Sequence, residues 1–177
     1  MYDKDKVEIG DILQHKIKGK GDWLGLIINF FTLGGNYAHT AMYIGNGLKA
    51  EAHMGAKFGQ VKIKEEEYKY IDIFRLKRKL TGEDKTSLTR EAKKLYGTDY
   101  DTFGLGGTVY SGLGKFLNWK WLRQINPISN DKRKLFCSEA ISKIYLDSII
   151  VDICPEVGEE VTTPNDIGRS KILKRIK

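Results

Sequence analysis

Two cysteines in 177 residues are too few for a disulfide framework. Cys137 and Cys154 could form one bridge in an oxidising compartment, and that bridge would consume both thiols. Histidine is as scarce, at three, and no CxxC or HExxH spacing gathers ligands for a metal. The longest largely apolar run, 23–33, is shorter than the roughly 20 residues needed to cross a bilayer. Met1-Tyr2-Asp3-Lys4-Asp5-Lys6 is charged and has no apolar h-region behind it, so no signal peptide is expected and a cytoplasmic location is. Internal repeats, low-complexity segments and a domain boundary are absent too, which leaves residues 1–177 as a single domain.

The chain has 30 Lys and Arg against 23 Asp and Glu, a formal charge of +7. A net positive charge favours anionic partners. The lysines are scattered, however, and no basic run is interleaved with aromatics, so no nucleic-acid partner is expected. Solubility accounts for the charge more simply, and 171–177 reads as a solvated helix face or tail. At 41% hydrophobic and 30% charged, the composition is that of a globular domain with a real core.

Gly10-Asp11-Ile12-Leu13 reads as a turn entering a strand. Asp22 can cap an apolar helix over 23–31, either buried or touching lipid. A strand over 39–44 ends at Gly45-Asn46-Gly47, a hairpin signal, and 48–53 returns. Further strands are expected over 60–64 and 70–76. Leu88, Ala92, Leu95 and Tyr96 mark one face of a helix over 83–96 that stops at Gly97. The stretch 103–128 is rich in glycine and aromatics and long for a loop. Cys137, Ile141, Ile144 and Tyr145 share a face of a helix over 137–149. Thr163-Pro164-Asn165-Asp166 has the form of a helix start, with proline at the first helical position. Strands in a run beside segregated helices predict an α+β fold, an antiparallel sheet packed against helices.

The chemistry centres on Leu135-Phe136-Cys137-Ser138-Glu139-Ala140, which places a cysteine at a helix N-terminus. The helix dipole there favours the thiolate, which is the nucleophile. His39, on a strand, is the candidate base, and its plainer role is that of a hydrogen-bonded core or edge histidine. A third group would orient the imidazole. Glu51 and His53 are both candidates, and Glu51 is preferred because a carboxylate also stabilises imidazolium.

Hairpin register decides whether Glu51 qualifies. A three-residue loop, Gly45-Asn46-Gly47, puts His39, Ala41, Glu51 and His53 on one face. A two-residue loop, Asn46-Gly47, turns Glu51 away unless a bulge intervenes. The backbone N–H of Cys137 and the hydroxyl of Tyr100 are candidate oxyanion donors. A metal site would have to be built from His39, Glu51, His53 and Cys137, without any close ligand spacing, and none is expected. His15, among lysines, reads as an ordinary surface residue, and Cys154 as a structural thiol.

Several motifs fall in a set order: Gly10-Asp11-Ile12-Leu13, the strand from His39 to Gly47, Glu51-Ala52, Tyr100-Asp101-Thr102-Phe103, Phe136-Cys137-Ser138-Glu139 and Thr163-Pro164-Asn165-Asp166. Together they resemble the YiiX-like branch of the NlpC-type superfamily, the permuted papain-like cysteine hydrolases, in which the histidine strand precedes the cysteine helix. The resemblance spans nearly the whole chain. It implies a permuted papain-like fold with Cys137 as nucleophile, His39 as base and Glu51 as the third residue, where many relatives carry a histidine. It places Tyr100 near the site and implies no cofactor.

The activity implied is that of a cysteine amidase or peptidase acting through an acyl-enzyme on a small amide substrate, such as a cell-wall peptide. Two features depart from the pattern: Ala41, where glycine is common, and the aromatic stretch 104–128. Two other functions fit the same residues. One is a lipid thioesterase or acyltransferase that contacts a membrane surface through 23–33 and the Trp119 to Trp121 region. The other is a non-catalytic binding module.

Overall fold

The structure, a computed structural model, describes residues 6–17, 35–52, 57–100, 134–135, 137–157 and 162–177. The helix expected over 23–31, the aromatic stretch 104–128, His53 and Phe136 lie outside these residues. Six strands form an antiparallel sheet: β1 (Ile12–Lys16), β2 (Tyr37–Gly45), β3 (Leu48–Glu51), β4 (Gly59–Lys62), β5 (Ile71–Leu76) and β8 (Leu173–Arg175). Their spatial order is β4-β3-β2-β1-β5-β8. Two short strands, β6 (Asp99–Tyr100) and β7 (Lys134–Leu135), pair in parallel apart from it. Helices among the described residues include α1 (Gly82–Lys94), α2 (Cys137–Ile149), α3 (Pro164–Arg169) and a 3-10 helix at Glu65–Tyr70. The described chain is thus α+β: β1 to β4 form a meander, β5 crosses back to pair with β1, and the helices are segregated from the strands.

Strand alternation sends neighbouring residues to opposite faces. One face carries Ile12, Met42, Ala50, Phe74 and Leu76, buried against Leu88 and Ala92 of α1, Ile141, Ile144 and Tyr145 of α2, and Ile167 of α3. The other carries Leu13, Ala41, Ile71 and Ile73, which pack with Ile63 and with Tyr68 of the 3-10 helix. Both faces are therefore covered, by helices on one and by the 3-10 helix and its flanks on the other.

The helix boundaries follow local chemistry. Thr81 caps α1 with a reciprocal Asp84 capping box, and Gly97, at φ +86°, lies just beyond the helix end in a conformation suited to glycine. Thr163 and Asp166 form the same box at α3, with Pro164 in the first turn. At the start of β1, Gly10 has φ +90°, and an added Cβ would lie 2.6 Å from Leu80 Cδ1. Asp11, buried beside it, accepts from Arg75 Nε and Nη2, each at 2.7 Å, so the turn is tied to β5.

The hairpin departs from both loop lengths taken alone. Gly45 pairs with Leu48, so the loop is the two residues Asn46-Gly47, at φ +53° and +70°. Two left-handed residues are what a type I′ hairpin turn requires. The register then shifts between Tyr43 and Gly45, so that Tyr43 meets Lys49 and Met42 meets Ala50. This bulge offsets the shorter loop, and Glu51 stays on the face of Ala41 and His39.

The basic end is neither helix nor tail. Leu173–Arg175 pairs with Phe74–Leu76 as an edge strand, with Leu173 buried and Arg175 Nη2 3.0 Å from the buried Asp72. Exposed charge on an edge strand opposes pairing with other chains. No described helix is long and apolar enough to cross a membrane.

Candidate active site

His39 Nε2 and Glu51 Oε2 are 2.8 Å apart. Glu51 is buried, and the His39 side chain is 20% exposed. The contact follows from the hairpin: the register of β2 and β3 puts both side chains on the face of Ala41. With Nε2 committed to Glu51, Nδ1 is the ring atom left for the sulfur of Cys137, to which His39 is also hydrogen-bonded.

Cys137 is the first residue of α2 and is buried. The apolar face of α2, with Ile141, Ile144 and Tyr145, anchors the helix on the sheet, and this fixes where its N-terminus falls. Beyond the end of β3, the backbone N–H of Thr40 on β2 donates to the sulfur, as does that of Ser138 on the helix. Both cysteines are buried, and neither is in a disulfide.

The three groups reinforce one another's charge. Burial alone would push the Cys137 thiol up. The charge and hydrogen bond of His39, followed by the Thr40 and Ser138 N–H groups, outweigh it and hold the thiol below its ordinary value. Burial alone would lower His39, but the charge and hydrogen bond of Cys137, then those of Glu51, raise it to about 9. Burial would raise Glu51, yet His39 and then Lys49 bring its carboxyl down to about 2. At neutral pH this balance favours a thiolate beside an imidazolium backed by a carboxylate.

Residues 162–165 brace both halves of the site. Asn165 Oδ1 accepts from the backbone N–H of Tyr37 at 3.1 Å, two residues before His39. The Ser138 hydroxyl donates to the Thr162 carbonyl. A single turn of chain therefore holds the start of the histidine strand and the start of the cysteine helix.

Two residues gain a place that sequence reasoning did not give them. His15 pairs with His39 across β1 and β2, and the ring centroids are 5.3 Å apart, edge to face. It is half-buried on the same face, not an ordinary surface residue. Lys49 is buried, with Nζ 3.1 Å from Glu51 Oε2 and 2.6 Å from Glu67 Oε2. Its position two residues before Glu51 on a strand was the available signal, since i and i+2 share a face. Tyr100 lies on β6, where its backbone pairs with Leu135, two residues before Cys137.

The described donor set does not suit a metal ion. Among the described residues, no group of three His, Cys, Asp or Glu side chains could hold one. The Glu51 oxygen that faces His39 is also bonded to the Lys49 ammonium, which occupies and repels from the position a cation would take.

No family model matches the chain, and no curated protein matches it. Among solved structures it is similar to the metalloprotein YiiX from Escherichia coli O157:H7, with 17% sequence identity, a TM-score of 0.62 and 96% of each chain covered. The chain has a YiiX-like fold.

Proposed function

We propose that the chain is a cysteine hydrolase of the permuted papain-like kind, an amidase or peptidase with a Cys137-His39-Glu51 triad. The observation that carries this reading is the unbroken hydrogen-bonded line from Cys137 through His39 to Glu51, with the sulfur at a helix N-terminus. The strand that carries His39 precedes the helix that begins at Cys137, an order consistent with the permuted arrangement in this reading.

The Cys137 thiolate attacks the acyl carbon and forms a C–S bond, and the carbonyl electrons move to oxygen. In this reading the backbone N–H of Cys137, at the helix start, donates to that oxyanion. His39 then transfers its Nδ1 proton to the leaving amine as the C–N bond breaks, which leaves an acyl-enzyme. Water, deprotonated by His39, attacks the thioester. The acid departs, and the thiolate–imidazolium pair is restored. Glu51 fixes the ring through Nε2 throughout. The substrate class in this reading is a small amide such as a short cell-wall peptide.

The test is to trap the acyl-enzyme. Short peptide amides and activated esters are incubated with the protein, quenched in acid and read by intact mass. The expected result is a mass gain equal to the acyl group, mapped to Cys137 and absent in Cys137→Ser. No adduct from either substrate class, in protein whose Cys137 is shown to be reduced, would contradict the proposal. Acyl transfer from activated esters but never from amides would favour the lipid thioesterase or acyltransferase function instead.

A further inference from the structure

A lysine buried inside a β-sheet domain needs a reason, because moving an ammonium out of water is unfavourable unless it is well paired. Lys49 is such a residue, its side chain 5% exposed. It lies on β3 two residues before Glu51, on the face that carries His39, Ala41 and Leu13. Its ammonium reaches Glu51 Oε2 at 3.1 Å, Glu67 Oε2 at 2.6 Å and His15 Nε2 at 3.5 Å. Glu67 belongs to the 3-10 helix, whose Tyr68 packs into the core of that face. The titratable groups meeting here are thus His15 from β1, His39 from β2, Lys49 and Glu51 from β3, and Glu67 from the 3-10 helix.

One Glu51 oxygen receives both the imidazole and the ammonium. A carboxylate bonded only to His39 could rotate about its terminal torsions and still keep that bond. A second donor on the same oxygen, held by a strand and tethered to a separate element, removes that freedom. We propose that Lys49 is a positioning residue: anchored by Glu67 to the 3-10 helix, it fixes the Glu51 carboxylate that in turn orients His39. The inference rests on the proposed triad.

A purely structural ion pair predicts something different. Replacing a buried pair with apolar atoms would change stability and leave the thiol's reactivity untouched. Two readouts separate the roles. The first is the rate of Cys137 alkylation by iodoacetamide from pH 5 to 9. The second is the His39 Nε2–H proton resonance, observed in a Cys137→Ser background so that it reports the Glu51 contact without the thiol.

In Lys49→Met the alkylation rate at pH 6 is expected to fall roughly 10-fold, the usual scale for losing a group that orients a reactive side chain. The Nε2–H resonance is expected to broaden through exchange. Lys49→Arg keeps the cation and is expected to restore most of the rate. An unchanged rate and an unchanged resonance in folded Lys49→Met would overturn the inference while leaving the triad standing. An unreactive wild-type thiol, together with a resonance that depends on Lys49, would remove the proposed hydrolase and keep the positioning role. If Lys49→Met does not fold, Glu67→Gln carries the test. Its side chain is 18% exposed, so its loss is better tolerated. A rate drop of about 2-fold or more supports the tether, and no drop overturns it.

Discussion

In the proposed hydrolase, replacing His39 with alanine is expected to lower amide hydrolysis by about 10³-fold or more, since the variant loses the proposed base and the imidazolium that would sustain the thiolate. The thiol is buried, and burial raises it. Without the His39 charge and hydrogen bond, the Thr40 and Ser138 N–H groups oppose that effect more weakly. At neutral pH the sulfur then becomes a protonated, poorly nucleophilic thiol. Folding is expected to survive, because Glu51 keeps its 3.1 Å contact with Lys49 and is not left as an unpaired buried charge. Steady-state rates on a peptide amide, alongside thermal unfolding, check both halves. A small loss of rate with intact folding would mean that His39 is a core histidine.

Glu51→Gln is expected to have the larger effect on stability. Glutamine retains the shape and one acceptor, but it leaves the buried Lys49 with Glu67, 2.6 Å away, as its carboxylate partner and His39 with the Cys137 thiolate as its remaining anion. Breaking a buried, hydrogen-bonded charge pair by removing one partner costs about 3–5 kcal/mol. The pH dependence has a definite sign. Glu51 is depressed from 4.5 to about 2, so its contribution is fully present above about pH 4.5 and is lost as pH falls through about 2. His39 is raised from 6.5 to about 9, so its contribution is fully present below about pH 6.5 and is lost as pH rises through about 9. The stability gap between wild type and Glu51→Gln is therefore expected to be widest between about pH 4.5 and 6.5 and to narrow on either side. Urea denaturation at pH 3, 5.5 and 9 measures this. A gap that does not change with pH would show that the carboxylate is not coupled to His39.

What the sequence discloses depends on how local the cause is. The helix over 137–149 was legible because its apolar spacing and its cysteine start lie within one segment, and the observed bounds agree. The Thr163 cap was legible for the same reason. What Asn165 does was not, since its partner, the Tyr37 N–H, is 128 residues away. The hairpin is the most instructive case. Gly45-Asn46-Gly47 announces a turn, but a two-residue loop with a bulge and a three-residue loop place Glu51 on the same face. Composition at the turn cannot separate the two. Reading His15 as a surface residue failed because its neighbour depends on β1 pairing with β2, a contact between distant segments. Reading 171–177 as a tail failed because a charged edge strand and a solvated tail have the same composition. Only the burial of Leu173 beside β5 tells them apart.

The central claim is that Cys137 is held as a thiolate by His39, and the pH dependence of its alkylation tests this most directly. Iodoacetamide labelling is followed from pH 5 to 9 in wild type and in His39→Ala, with Cys154 replaced so that one thiol reports. An unperturbed thiol titrates at about 8.5. The expected result is rapid labelling that persists below pH 7 in wild type and disappears in His39→Ala. Slow labelling that rises only near pH 8.5, the same in both proteins, would contradict the thiolate–imidazolium pair and the hydrolase built on it.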